Sequence, residues 1–321
     1  MPSPTAPTQH HLVLPFAAST DGDWLSAARA IPPAALRHLN PLLQGMKQIH
    51  ADTGDERSLS TPHERVLARA LGISDADGLI PWAAWQQNQS LPAAGQAWAF
   101  VTPCHWAMGR EHATLTDPAA LDLQESESRT LLAAMQPYFA TEGITLHYEQ
   151  PTRWLAEGEV FRSLPSASLD RVLSRNVDPW LPADGKIRLL QNEMQMLLYT
   201  HTVNDARTSR RLQGVNSFWI SGSGALPENP DATPPANMST PRSLAQAAFS
   251  NDWPAWTAAW QALDASEGAR LLALQRSGEP VRLSLCGERN ALTFETAPRG
   301  LWSKVTSLFG PQPLPAVLEQ L

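Results

Sequence analysis

The stretch HTVNDARTSRRLQGVNSFWISGSG, residues 201–224, joins a polar segment of helical character to an apolar strand. In its first half Asn204, Arg207 and Arg211 are spaced i, i+3 and i+7, so a helix places them on one face. Asn216 opens the apolar run NSFWI, which predicts a buried strand ending in Gly-Ser-Gly. Arginine suits bidentate binding of carboxylate or phosphate, so these four side chains form a candidate anion-binding patch. A solvated helix face with a capping asparagine is the alternative.

The overall composition is that of a folded protein with room for two lobes. The chain has 321 residues, of which 43% are hydrophobic and 17% charged. A net charge of -7 argues against nucleic-acid binding, which needs a basic surface. No apolar run approaches the roughly 18 residues of a membrane span, and the N-terminus lacks a signal peptide. With only Cys104 and Cys286, whose pairing stays open, we expect a cytoplasmic protein.

Hydrophobic periodicity predicts a mixture of helices and strands. Strands are expected at 11–17, within 95–115, at 144–150 and, as a hairpin, at 281–296; helices are expected at 60–73, 80–86, 125–143, 178–201, 252–263 and 300–310. Strands packed by a helix indicate a small α+β module beginning near residue 95. Residues 225–243 are rich in Pro, Asn and Ser and predict a loop.

Two further motifs resemble chemical sites only in part. The SGSG motif at 221–224 lacks the Lys and the following helix of a P-loop, so it predicts close backbone approach instead of a nucleotide site. The segment PCHWAMGREH holds His105, Arg110, Glu111 and His112. Their spacing does not match a zinc site, which uses closer ligand pairs. We therefore predict a polar wall that binds a ligand through His105, Arg110 and His112.

A stripe of tryptophans lies on one predicted helix. Trp253, Trp256 and Trp260 are spaced i, i+3 and i+7 in DWPAWTAAWQAL. Aromatic residues at helical spacing pack a core or an interface, and no basic residues stand between them as a base-stacking platform would need. Core packing is the leading interpretation, and a face for a protein partner is the alternative.

The opening stretch resembles a segment of the archaeal-type cofactor-independent phosphoglycerate mutases. The matching positions are His201, Asn204, Arg207, Asn216, Gly222 and Gly224, with Thr202 where that family has proline. The motifs TPCHWAMGREHATLTDP, LQNEMQMLLYTH and VNSFW resemble more closely a bacterial family labelled phosphoglycerate mutase or RpfE-type regulatory protein. This second resemblance covers most of the chain.

The resemblance implies an α/β fold: an alkaline-phosphatase-like sheet flanked by helices, with a smaller inserted α+β domain. The corresponding domains are 11–94 together with 200–321 for the phosphatase-like part and 95–199 for the insert, after a flexible tail at 1–10. In the mutases a serine nucleophile and two metal ions, Mn or Zn, carry the phosphoryl transfer.

The metal-binding pattern of that family is incomplete here. Asp21 comes several residues further after the first predicted strand than the metal-binding aspartate of the mutases does. His63 stands near the position of the serine nucleophile of that family. No histidine follows His201, although two-metal chemistry needs a dense ligand cluster. We therefore expect no cofactor and a degenerate metal site. The predicted function is a non-catalytic binding or regulatory protein that recognises a small phosphorylated or carboxylate ligand, or a protein partner.

Two alternatives remain at this point. The first is an active mutase or related phosphotransferase that holds Mn or Zn through Asp21, His63, His105 and His112, with His63 and Asp21 catalytic. The second is a pure protein-interaction module that uses the Trp253, Trp256 and Trp260 face. Neither alternative involves nucleic acid or membrane.

Overall fold

The structure, a computed structural model, describes residues 10–20, 22–90, 95–227, 237–297 and 313–321. Several sequence predictions lie outside these residues. They are the tail up to residue 9, Asp21, residues 228–236 of the predicted loop and the helix at 300–310.

The described residues form the predicted strands and helices together with further ones that the periodicity did not predict. The strands are β1 (His10–Pro15), β2 (Met46–Thr53), β3 (Ala97–Cys104), β4 (Trp106–Met108), β5 (Ala113–Leu115), β6 (Thr145–Gln150), β7 (Arg153–Glu157), β8 (Ser217–Ala225), β9 (Met238–Ser239), β10 (Val281–Cys286) and β11 (Asn290–Thr296). The helices are α1 (Trp24–Ala30), α2 (Leu39–Gln44), α3 (Pro62–Leu71), α4 (Trp82–Ser90), α5 (Glu125–Thr141), α6 (Leu169–Val172), α7 (Gly185–Tyr199), α8 (Thr202–Ser209), α9 (Ser243–Phe249), α10 (Trp253–Leu263), α11 (Ala269–Ser277) and α12 (Leu314–Leu318).

The chain divides into two compact units. The first contains the described residues of Met1–Glu56, Pro62–Leu71 and Thr233–Leu321, and the second those of Arg57–Thr61 and Gly72–Ala232. The second unit extends beyond the predicted insert, 95–199, because β8 pairs with β3 along most of its length. The identity of the two predicted domains stays a prediction.

The first unit is built on a mixed sheet with the strand order β2-β11-β10-β1-β9. Strand β1 is parallel to β10 and β9, whereas β11 is antiparallel to both β10 and β2. Alternation along β1 sends Leu12 and Leu14 into a large apolar core with Trp256 and Trp260. On the opposite face, Val13 packs with Val66 of α3. Both sheet faces are thus covered, as a sheet with parallel strands requires.

The second unit is built on an antiparallel sheet with the order β6-β7-β3-β8. Helices α5 and α7 supply Phe139 and Met194 to a core that also holds Trp154 and Phe218 from the sheet. The hairpin β4–β5 follows β3 directly as a separate two-stranded sheet. Helices beside multi-stranded sheets in both units confirm the predicted α/β class.

The Gly-Ser-Gly of the opening stretch lies inside β8, where the ladder with β3 is irregular. Gly222 and Gly224 have φ values of +62° and +148°, which side-chain-bearing residues rarely adopt. A Cβ on Gly224 would stand 2.8 Å from Pro81 Cβ. The glycines therefore permit a close approach at a bulge of the sheet, as the sequence predicted.

The tryptophan stripe of α10 is a core element. Trp256 and Trp260 are fully buried, and Trp253 packs partly against the same cluster. Trp256 Nε1 donates a hydrogen bond to the Phe16 carbonyl oxygen at 3.0 Å. Core packing of the stripe is confirmed, and Trp256 and Trp260 present no surface to a protein partner.

Replacing Trp256 with alanine is expected to lower the free energy of unfolding by about 3–5 kcal/mol, because it leaves a large cavity in the core. Urea unfolding of the variant beside the unmodified protein measures the difference. Tyr199→Ala is the control, since that side chain is 85% exposed and its loss is expected to matter by less than about 0.5 kcal/mol. A Trp256→Ala loss no larger than the control's would contradict the burial.

Candidate functional site

A groove of about 520 Å³ lies in the second unit, between the β4–β5 hairpin and the C-terminal half of α7. Its lining combines aromatic, thioether, amide and charged side chains: Trp106, Met108, Arg110, Glu111, His112, Asp178, Gln195, Tyr199 and Asn216. Of the residues predicted from sequence to bind a ligand, Arg110, His112 and Asn216 are brought together here.

Asn216 fixes the hairpin to the rest of the unit. Its Oδ1 accepts a hydrogen bond from the Trp106 backbone N–H at 2.7 Å, and its Nδ2 donates to the Trp106 carbonyl at 3.0 Å. The side chain therefore completes the outer edge of β4 as a neighbouring strand would. Next to it, His105 Nδ1 lies 2.7 Å from the Gly214 carbonyl oxygen. His105 and Asn216 thus shape the groove by bonding to backbone.

The turn of the hairpin carries the charged part of the wall. Gly109 N–H donates to the His112 carbonyl at 2.9 Å, which closes the turn. Arg110, Glu111 and His112 therefore stand at an exposed tip. Of the predicted polar wall, Arg110, Glu111 and His112 line the groove together with Trp106 and Ala113, whereas His105 does not.

Helix α7 supplies the opposite wall. Asp184 caps its N-terminus by accepting hydrogen bonds from the N–H groups of Lys186 and Ile187 at 2.9 and 3.0 Å. One face packs into the core, and the other exposes Tyr199 and Met196, which are 85% and 77% accessible. Sequence analysis named neither of these two residues.

Exposed apolar side chains occur at the groove and along the outer face of α7. Met108 on the hairpin is 80% exposed, and Leu189 lies on the outer face of α7 with 58% of its surface exposed. Leu189 therefore lies apart from Leu190, Met194 and Leu198, which share the buried face of α7. The available signal is the spacing of Leu189, Met196 and Tyr199 at i, i+7 and i+10, which marks a second apolar stripe.

Arg207, predicted to face an anion, is completely buried. Its Nε donates to the Gln213 carbonyl at 2.8 Å, its Nη1 contacts Glu127 Oε2 at 2.6 Å, and its Nη2 bonds to the Leu121 carbonyl. All three guanidinium nitrogens therefore already have acceptors. The side chain holds four chain segments together and has no surface for a ligand.

Asn204 and Arg211, which were predicted to share a helix face with Arg207, do not form an anion-binding patch with it. Asn204 Nδ2 donates to the carbonyls of Leu198 and Val215 at 2.8 and 2.7 Å, and its Oδ1 accepts from Val215 N–H at 2.9 Å. Arg211 lies beyond the end of α8, in a left-handed conformation with φ of 60°. The shared helix face expected for Asn204, Arg207 and Arg211 is therefore wrong, because α8 ends before Arg211 and turns Arg207 inward.

Glu127 is the counterion of this network. Burial raises the pKa of its carboxyl, but hydrogen bonds from the Gln124 backbone and from Arg210 and Arg207, with the charge of Arg207, together lower the pKa below its ordinary value. The carboxylate is thus held ionised beside two guanidinium groups.

A second polar cluster lies in the first unit, at the carboxyl ends of the parallel strands β1 and β10. Glu288 is buried, and its two oxygens accept hydrogen bonds from Ser19 Oγ at 2.5 Å and Thr20 Oγ1 at 2.6 Å. His63, also buried, has its Nε2 3.4 Å from Arg242 Nη1. Ligands commonly bind at this edge of an open α/β sheet.

The mutase resemblance implies a pair of Mn or Zn ions, and the described donors of this cluster contact other protein groups. The carboxylate of Glu288 is taken up by two hydroxyl groups, and a guanidinium stands beside His63. Within the ranges that the structure describes, no three His, Cys, Asp or Glu side chains are grouped to hold a metal. His105 and His112, the other candidate ligands, belong to the second unit, and Asp21 lies outside the described residues.

The two cysteines are separate, buried thiols, one in each unit. Burial raises the pKa of both Cys104 and Cys286, so each remains protonated and unreactive. None of the described helices has the length and hydropathy that a bilayer span requires.

No protein-family model matches this chain, and no curated protein matches it in sequence. The cofactor-independent phosphoglycerate mutase from Thermoplasma acidophilum DSM 1728 is similar in structure at 12% identity, covering 98% of this chain and 99% of that chain with a TM-score of 0.35. The PH0037 protein from Pyrococcus horikoshii is 11% identical, covering 91% and 88% with a TM-score of 0.44. The likeness is distant, and no residue role is transferred from either protein.

Arg207→Ala is expected to destabilise the second unit by about 3–5 kcal/mol, because it leaves the Glu127 carboxylate without its buried partner. Arg210→Ala is the matched control, since it removes the other arginine on Glu127, which is half exposed. Chemical unfolding of both variants gives the comparison. Equal and small losses would show that the buried guanidinium does not hold the unit together.

The lowered pKa of Glu127 predicts acid sensitivity. A carboxyl group whose pKa is lower in the folded protein than in the unfolded chain, where it is about 4.3, stabilises the folded state. This stabilisation is fully present above the unfolded pKa and is lost as the pH falls through the folded pKa. Glu127→Gln should therefore be much less stable than the unmodified protein at pH 7, with the difference shrinking as the pH falls below about 4. Unfolding curves across that range measure it, and a constant difference would contradict the assignment.

Proposed function

We propose that this chain is a non-catalytic binding protein that recognises a segment of a protein partner through the groove between the β4–β5 hairpin and α7. The observation that carries the proposal is the concentration of exposed large apolar side chains at that groove. Met108 and Tyr199, which line this concave surface, and Met196, on the exposed face of α7, are each at least three-quarters exposed. Exposed apolar patches of this kind mark interaction sites on folded proteins.

The groove is lined by residue types that are common in protein–protein interfaces. Aromatic residues, Met and Arg are enriched in interfaces, and Trp, Tyr and Arg dominate their energetic hot spots. Trp106, Tyr199, Met108 and Arg110 all line the groove. Flexible thioether chains also adapt to an irregular partner surface. An apolar side chain of a partner segment, seated against Trp106 and Tyr199, is the occupant that this lining favours.

The charges of the groove favour a polypeptide over a small anion. Arg110 is the cationic side chain of the lining, and it is opposed by the carboxylates of Glu111 and Asp178. Arg207, the strongest anion-binding candidate from sequence, is engaged in the core. A phosphorylated or carboxylate ligand would meet no excess of positive charge here, whereas a peptide with mixed polar groups would be matched.

A degenerate metal site at the carboxyl edge of the first sheet is the second part of the proposal. The support is that the Glu288 carboxylate accepts hydrogen bonds from Ser19 and Thr20, and that the described residues hold no group of three His, Cys, Asp or Glu side chains suited to a metal. A catalytic pair of cations needs several ionised donors held open for them. The phosphoglycerate-mutase-like character of the chain then concerns its fold and not its activity.

Tyr199→Ala is expected to weaken partner binding by about tenfold or more, the loss typical of an interface aromatic. Tyr138→Ala is the matched control, because Tyr138 is an exposed tyrosine of the same unit that does not line the groove. The unmodified protein, Tyr199→Ala and Tyr138→Ala are each used to enrich binding proteins from a lysate of the native cell. Quantitative comparison of the three enrichments identifies a candidate partner. Titration with that purified partner then measures the affinities.

Equal binding by the Tyr199 and Tyr138 variants would remove the groove from the proposal. The folded state of both variants is monitored by urea unfolding, so that a loss of binding is not confused with a loss of structure.

No turnover is expected when the purified protein is mixed with Mn²⁺ and 3-phosphoglycerate, because the described donors do not form a two-metal site. Product formation, measured over hours at millimolar substrate, is the readout. Turnover that disappears in His63→Gln would establish the enzyme alternative instead.

A further inference from the structure

The backbone of Met108 points away from the β4–β5 hairpin. Gly109 N–H donates to the His112 carbonyl at 2.9 Å, across the hairpin towards β5. In an antiparallel pair the residues alternate between bonding to the partner strand and facing away from it, so Met108 faces away. Trp106, two residues earlier, shows the same outward direction, because both its backbone groups bond to the Asn216 side chain outside the hairpin.

This outer edge of β4 is open at Met108. Within the ranges that the structure describes, the outward N–H and C=O groups of Met108 have no hydrogen-bond partner. The outer edge of β5 is covered by contrast, since Val177 N–H donates to the Ala113 carbonyl at 3.0 Å. Unpaired backbone groups at a strand edge are a template for pairing with another chain.

The open edge borders the groove. Side chains two residues apart in a strand lie on the same face, so Trp106 and Met108 share one face of β4. Both of these side chains line the groove, together with Asn216 at the edge and with Gln195 and Tyr199 of α7. An extended segment bound beside Met108 would therefore lie in the groove.

The charged side chains of the groove are also free to bind a partner. Arg110, Glu111 and Asp178 line it, and none of them makes an ion pair with another residue of the described parts of the chain. Two carboxylates stand against one guanidinium, with His112 counted as neutral, and the whole chain has a net charge of -7. A basic residue in the partner segment complements this excess of negative charge.

We propose that the partner segment binds the groove as a short β-strand paired with Met108, and that it carries a Lys or Arg beside its apolar residue. This inference rests on the proposed function of the groove and adds the conformation and charge of the segment. A helical segment satisfies its own backbone hydrogen bonds and would leave both Met108 groups unpaired.

The pairing fixes the register of the segment. One residue of the partner accepts a hydrogen bond from Met108 N–H and donates one to the Met108 carbonyl. Residues directly opposite each other in a sheet present their side chains on the same face, so this residue supplies the apolar side chain that contacts Trp106. Asn216 occupies the backbone groups of Trp106 and ends the pairing on that side.

The test uses the full-length protein and a phage-displayed library of random dodecapeptides as the probe. Peptides that bind the unmodified protein but not Tyr199→Ala are kept, because they occupy the groove. We expect the kept peptides to carry Lys or Arg beside an aliphatic or aromatic residue. Their affinities are then measured by isothermal titration calorimetry.

Met108→Pro removes the outward N–H and leaves the ladder to β5 intact, because proline is tolerated where an edge-strand N–H faces outward. Met108→Ala is the matched reference, since it shortens the side chain and keeps the N–H. The proline variant should bind the kept peptides about tenfold more weakly than the alanine variant. Equal affinities would overturn the strand pairing and leave the groove as a peptide site.

N-methylation of a kept peptide, one position at a time, tests the pairing without changing the protein. It decides the question even where urea unfolding shows that Met108→Pro does not fold. Methylation of the paired residue should weaken binding about tenfold, whereas methylation of either neighbour, whose N–H points away, should have little effect. A scan without this alternation would overturn the proposal.

Asp178→Asn should weaken binding of a kept peptide about threefold, the effect of one exposed ion pair. Asp205→Asn is the matched control, because Asp205 is an exposed acid of the same unit that does not line the groove. Equal affinities of these two variants would overturn the basic residue of the proposal. If no peptide depends on Tyr199, the proposed function and this inference are both overturned.

Discussion

The buried guanidinium of Arg207 organises the second unit. It joins helix α8 to the start of α5 through Glu127 and to the chain at Leu121 and Gln213. A buried charge must be ion-paired and hydrogen-bonded. Arg207 meets both requirements only when these chain segments keep their positions around its guanidinium group. The segment that Arg207 holds at Gln213 continues directly into the residues that bond the β4 hairpin.

The groove depends on that chain of contacts. Gly214 accepts from His105, and Asn216 pairs with both backbone groups of Trp106. The hairpin is therefore placed by a loop that a buried ion pair keeps rigid. In the proposed peptide groove, a flexible side chain such as Met108 is thus carried on a hydrogen-bonded backbone, an arrangement that would reduce the entropy lost on binding.

The sequence predicted most elements because their signals are local. The spacing of Trp256 and Trp260 and the apolar run of β1 are properties of neighbouring residues. The role of Arg207 could not be read in that way, because its partners at 121, 127 and 213 come from other elements and an arginine on a polar helix normally faces solvent. The lining of the candidate groove was predicted only in part for the same reason. Arg110 and His112 were selected by their residue types, whereas assigning Tyr199 to the groove requires knowing where the β4–β5 hairpin lies.

The pairing of β1 with β10 has a consequence for how the chain acquires its structure during synthesis. His10–Pro15 must wait for Val281–Cys286, and at about 5–20 residues per second the ribosome needs tens of seconds to deliver the partner strand. The second unit comes almost entirely from the continuous segment Gly72–Ala232 and is complete earlier. The N-terminal strand, with its apolar Leu12, Val13 and Leu14, lacks its partner β10 throughout that interval, and an unpaired apolar strand is prone to aggregate.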